Sequence, residues 1–139
     1  MVRIFNFFRN FYKSILVLLI IFFLSIISGQ KIEQVNINIQ HFDKIVHLLM
    51  YMFLSLILAY DIQKSNANIS LRKTVLIVLF SVLLYGGMME LIQQYLIKTR
   101  TGDWLDFASD TIGIILAVLV INFYHKGARR LSQRRTRYF

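Results

Sequence analysis

The sequence predicts an all-α fold: a polytopic membrane protein of four transmembrane helices with both termini cytoplasmic. Three observations carry that prediction. Four apolar runs, each near the length needed to cross the ~30 Å hydrocarbon core of a bilayer, alternate with short polar segments. The composition is 57% hydrophobic and only 17% charged, and no proline interrupts the runs. Lysine and arginine gather at the ends of the runs, alternately dense and sparse, as membrane topology uses them.

Residues 1–13 form a basic, aromatic segment, with Arg3, Arg9 and Lys13 among Phe5, Phe7, Phe8, Phe11 and Tyr12. Such a mixture suits the cytoplasmic interface. Residues 14–124 make up the four-helix domain, and residues 125–139 a basic cytoplasmic tail. The first run, 14–28, reaches ~27 Å as a helix when residues 11–13 are added. We read it as a retained span. The alternative is a cleaved signal peptide, but isoleucine three residues before either candidate cut, near Ser28 and Gly29, is a poor cleavage context. Residues 29–42 are polar and partly alternating, compatible with an extended stretch or an interfacial loop.

The second span, 43–60, gathers its polar residues at its start: Asp43, Lys44, His47 and Tyr51. Asp43, His47 and Tyr51 are spaced i, i+4, i+8 and share nearly one face. Residues 61–73 form a basic polar loop containing the turn-favouring run SNANIS. In the third span, 74–97, Glu90 lies ~22 Å along the axis from Val75, in the far third of the bilayer. Residues 98–105 make a second loop with Trp104 as an interface anchor, and the fourth span ends near Tyr124.

Charge bias sets the orientation. The N-terminal segment, the 61–73 loop and the tail hold twelve of the sixteen lysines and arginines. By the positive-inside rule that side is cytoplasmic. Six of the seven acidic residues, all but Asp61, then fall on the outer side.

Three spans therefore contribute to one outward-facing polar site. The second supplies Asp43, Lys44, His47 and Tyr51; the third, Glu90 and Gln93; the fourth and its preceding loop, Arg100, Asp103, Asp106 and Asp110. Gly86 extends the face of the third span, and Gly113 and Ala117 that of the fourth, small residues that let those two helices approach beside the cluster. Ionisable groups at membrane depth persist where they pair or perform a task. His47 is the natural acid or base near neutral pH, oriented by Asp43 or Glu90. Asp106 completes the candidate catalytic set of His47, Glu90 and Asp106. Asp43, Lys44, Tyr51, Gln93, Arg100, Asp103 and Asp110 are candidate ligand-binding residues. Lys44 and Arg100 suit a phosphate or pyrophosphate. The plainer account is that these charges pair with one another and hold the bundle together.

Several classes drop out. Without cysteine there are no disulfides, thiol nucleophiles or thiolate metal sites. A hard metal ion among the carboxylates is conceivable, but the cluster holds one histidine and no metal-spacing motif, so no metal and no other cofactor is assigned. The +9 net charge sits at segment ends, where basic residues meet anionic lipid, and no nucleic-acid module accompanies it. No nucleophile elbow or glycine-rich phosphate loop is present.

These residues resemble the VanZ-like family of small bacterial integral membrane proteins. That family's pattern opens with Asp-Lys and a His on one helix, matched by Asp43, Lys44 and His47, with Tyr51 following. Its second block is a Glu followed by Gln, then a basic residue and two acids, matched by Glu90, Gln93, Arg100, Asp103 and Asp106. Gly113 matches the family glycine, whereas Asp110 stands where the family usually has Asn, and a family proline near Ile97 is missing. The resemblance covers residues 42–120 and implies a multi-pass protein of the bacterial cytoplasmic membrane. It also implies a cell-envelope role similar to that of accessory factors in antibiotic resistance to teicoplanin, a glycopeptide that binds cell-wall precursors.

Three functions compete on this reading. One is binding or processing of an anionic lipid-linked headgroup, such as a cell-wall precursor, at the outer leaflet. Another is a non-catalytic scaffold whose polar network locks the helices and presents a surface to a partner. The third is a small proton-coupled carrier built around Glu90 and Asp110, although inverted repeats and broken helices are not visible.

Overall fold

The computed structural model describes residues 2–31, 42–96 and 104–135. Each of these stretches is helical apart from the 66–70 turn: α1 (Val2–Lys31), α2 (Phe42–Ser65), α3 (Leu71–Leu96) and α4 (Trp104–Arg135). Within them Phe5–Ile26, Phe42–Ser65, Leu71–Tyr95 and Trp104–Ala128 are 22 to 25 residues long and apolar enough to cross a membrane. At 1.5 Å per residue such lengths span about 33–37 Å. The all-α, four-span expectation holds. The helices also run further than the apolar runs: the basic aromatic segment is the first part of α1, and the tail continues α4 to Arg135.

The bundle combines an apolar core with an apolar exterior and a set of buried polar groups. Large apolar side chains such as Phe23, Phe80, Leu119 and Phe123 lie on the outside, while Ser14, Ser25, His47, Asp61, Gln93, Asp106 and Asp110 are buried. Hydrocarbon accepts the first group, and only protein partners can satisfy the second.

A tight connection sets the α2–α3 pair antiparallel. Asn66 N–H donates to Ile62 O, the Asn66 side chain accepts from Asn68 N–H, and Ser70 Oγ accepts from Lys73 N–H as the cap of α3. Helix α1 lies antiparallel to α2, with Ser14 against Asp61, and parallel to α3, where Tyr85 donates to Leu18 O and Gln93 to Ser25 O. Helices α2 and α4 run parallel, joined by Lys44–Asp106 and His47–Asp110 near their N-termini and by Gln63–His125 near their C-termini.

The closest approach is between α2 and α4, and Gly113 permits it. A Cβ there would overlap the carbonyl oxygen of Leu48 and lie 3.1 Å from Met52 N. The expectation that Gly113 eases the contact of α4 with α3 is thus corrected: its neighbour is the α2 backbone. Gly86 does serve the cluster, since a Cβ on it would lie 3.2 Å from the Tyr51 ring and 3.4 Å from Asp110 Oδ2.

Candidate functional site

Parallel packing brings α2 and α4 into step. Lys44 and His47 sit one turn apart on α2, Asp106 and Asp110 one turn apart on α4, and the two sets meet as successive rungs. In the outer rung, Lys44 Nζ lies 2.9 Å from Asp106 Oδ1 and 3.2 Å from Asp43 Oδ2. Asp43 and Asp106 occupy the first turns of their helices, where carboxylates offset the positive ends of two parallel helix dipoles. The helix ends and Lys44 together account for why acids stand at those positions.

The second rung lies deeper. His47 Nδ1 is 3.0 Å from Asp110 Oδ1, and both residues are buried. Glu90 of α3 completes a triangle in which one ligand atom each from His47, Glu90 and Asp110 lies within 4.8 Å of the others. Tyr51 follows one turn further in, its ring nearly parallel to the His47 imidazole at 6.4 Å between centroids. Asp110 Oδ2 is buried and has no hydrogen-bond partner among the described residues. A carboxylate–imidazole–carboxylate triangle between packed helices can relay a proton, activate a bound hydroxyl or hold a cation.

Most of the candidate residues converge here. Asp43, Lys44 and Asp106 form the outer rung; His47, Glu90 and Asp110 the inner; Tyr51 lies beneath. Arg100 and Asp103 lie outside the described residues. Gln93 turns elsewhere: it is buried with its amide 3.4 Å from Ser25 O, which ties α3 to α1. Of the two expected orienting partners of His47, Glu90 stands in the triangle and Asp43 does not. Asp43 is taken up by Lys44, and the imidazole meets Asp110, which the sequence places only in the ligand-binding set.

An apolar groove escapes the sequence reading. A cavity of about 370 Å³ opens between α3 and α4, lined by Leu84, Gly87, Met88, Leu91 and Phe107, with Glu90 in its wall. The apolar members of this lining look like lipid-facing surface when read alone, and only the placement of α3 beside α4 makes them a groove. No family model matches the chain, and no curated protein or solved structure is significantly similar to it. The VanZ-like resemblance rests on its motif residues.

Proposed function

We propose that this protein binds, and acts on, the headgroup of a lipid-linked ligand whose hydrocarbon chain lies in the α3–α4 groove. The observation that supports it is the double membership of Glu90, which lines the apolar groove and stands in the His47–Asp110 triangle. The volume is at the lower end of the range for small-molecule sites and suits a segment of chain. A molecule entering sideways from the bilayer meets hydrocarbon surface first and a polar end at Glu90. Neither a scaffold nor a proton carrier needs such an entrance.

The charge bias along the sequence orients this polar end outward across a bacterial cytoplasmic membrane. Lipid-linked cell-wall precursors present anionic headgroups at that surface, and the VanZ-like resemblance agrees with an envelope role affecting glycopeptide sensitivity. In this reading His47 is the acid or base, oriented by Asp110, and Glu90 contacts the ligand. Lys44 is already shared between two carboxylates, so it organises the mouth of the site more than it greets an anion.

The test is native mass spectrometry of protein released from nanodiscs, beside a glycopeptide-sensitivity assay in cells. The wild type should retain lipid. Gly87→Leu, which fills the groove and whose Cβ meets only Phe107 at ordinary contact distance, should lose it while melting normally. Glu90→Gln should keep fold and chain binding but lose the cellular phenotype. Retention of lipid by Gly87→Leu, or a wild-type phenotype from Glu90→Leu, sinks the proposal.

A further inference from the structure

We infer that His47, Glu90 and Asp110 form a binding site for one divalent transition cation, of the Zn²⁺ or Mn²⁺ class. The inference stands on these three side chains and does not depend on the lipid reading. Their ligand atoms converge from three helices to within 4.8 Å of one another. His47 Nδ1 and Asp110 Oδ1 are already 3.0 Å apart. Two ligands on a shared cation with bonds of ~2.0–2.2 Å stand about 3 Å from each other, so this pair needs little movement. Glu90 supplies the third ligand atom of the triangle.

A second observation points to a ligand. Asp110 is 1% exposed, and its Oδ2 has no hydrogen-bond partner among the described residues. An unsatisfied buried polar atom costs roughly 1–3 kcal/mol, more when charged. A cation held between the carboxylates and bound by both oxygens of Asp110 supplies the missing partner. Asp61, equally buried at the opposite end of the bundle, shows the contrast: Ser14 gives two hydrogen bonds to its Oδ2, and it has no buried oxygen without a partner among the described residues.

The donor set selects the class of ion. One imidazole and two carboxylates suit borderline first-row cations, whereas Mg²⁺ and Ca²⁺ prefer all-oxygen sites. Three protein ligands leave at least one coordination position open, as in catalytic zinc sites. The open position is where an anionic oxygen or a water would bind.

The experiment uses untagged full-length protein in detergent, stripped with chelator and reloaded separately with Zn²⁺, Mn²⁺ and Mg²⁺. Bound metal is counted by mass spectrometry and thermal unfolding is recorded. One Zn²⁺ or Mn²⁺ per chain should bind and raise Tm, with Mg²⁺ weaker. His47→Gln, Glu90→Gln and Asp110→Asn should each weaken binding by about 100-fold or more, since even outer-shell partners are worth 10–100-fold. His125→Gln, at the opposite end of the bundle, should leave it unchanged. Pulsed electron paramagnetic resonance on the Mn²⁺-loaded wild type should show histidine nitrogen coupling, a readout that no variant's failure to fold can obscure. Absence of stoichiometric binding, absence of nitrogen coupling, or binding that survives all three substitutions overturns the site.

Discussion

The two ends of the bundle each bury an aspartate to 1% exposure, yet they treat it differently. At the end where α2 meets the turn into α3, Asp61 Oδ2 accepts from both the backbone N–H and the hydroxyl of Ser14, at 3.1 and 2.8 Å. Nearby, Lys13 sits over the Tyr60 ring and His125 Nε2 donates to Gln63. These contacts join one helix to another through a neutral partner or an aromatic face. At the other end, Asp110 offers one oxygen to His47 and leaves the second unpaired beside Glu90. Burial alone therefore does not mark a functional carboxylate. What sets Asp110 apart from Asp61 is a buried oxygen with no partner among the described residues.

The largest effect expected is all-or-none and decides which end faces out. Cysteines placed singly at Asn38 and Thr101 should react with an impermeant reagent added outside intact cells, and those at Asn66 and Ser132 should not. The opposite pattern would turn the polar end toward the cytoplasm and remove the outer-leaflet ligand.

Next in size is Gly113→Ala. The added methyl meets the Leu48 backbone rather than a flexible side chain, so α2 and α4 must separate. We expect a destabilisation of about 3 kcal/mol or more, at the upper end of overpacking costs. The same separation should pull His47 away from Asp110 and weaken metal binding. Wild-type melting of this variant would show that the two helices cross with room to spare.

The direct comparison is between paired substitutions. Asp61→Asn keeps an acceptor for Ser14 and should melt near the wild type, whereas Asp61→Ala should cost about 1–3 kcal/mol by stranding the Ser14 donors. Asp110→Asn should also melt near the wild type but lose metal binding. If both asparagine variants retain every function, the distinction between the two ends fails. The smallest effect is that of Ser14→Ala, about 1 kcal/mol from one missing hydroxyl bond, read as a shift in melting with ligand binding untouched.

Fold and site are not equally legible in the sequence. Helix number and approximate position follow from hydropathy, because a membrane leaves the chain almost no other way to satisfy its backbone. Periodicity reveals the shared face of Asp43, His47 and Tyr51, and common depth gathers Glu90 with Asp110. The pairing of helices is not readable. The four-span topology makes α2 and α4 run in the same direction, but nothing local says that they lie side by side, so spacing points His47 toward Asp43 or Glu90 when it is also hydrogen-bonded to Asp110. Gln93 looks like a site residue because its spacing from Glu90 suggests one face, while the position of α1 against that face is a tertiary fact. A cation is equally invisible there, since metal-spacing motifs are local and these three ligands come from three helices.

The parallel pairing of α2 with α4 also bears on how the chain is made. During synthesis α2 enters the membrane two helices before α4, which brings both Asp106 and Asp110. Until then Lys44 and His47 have neither of those acids, in a membrane that penalises polar groups without partners. A chain truncated before Trp104 should accordingly be cleared from cells faster than one truncated after Ala128, and equal lifetimes would show that the first three helices stand alone. The last helix thus supplies the acids that complete the membrane-buried polar network begun on α2.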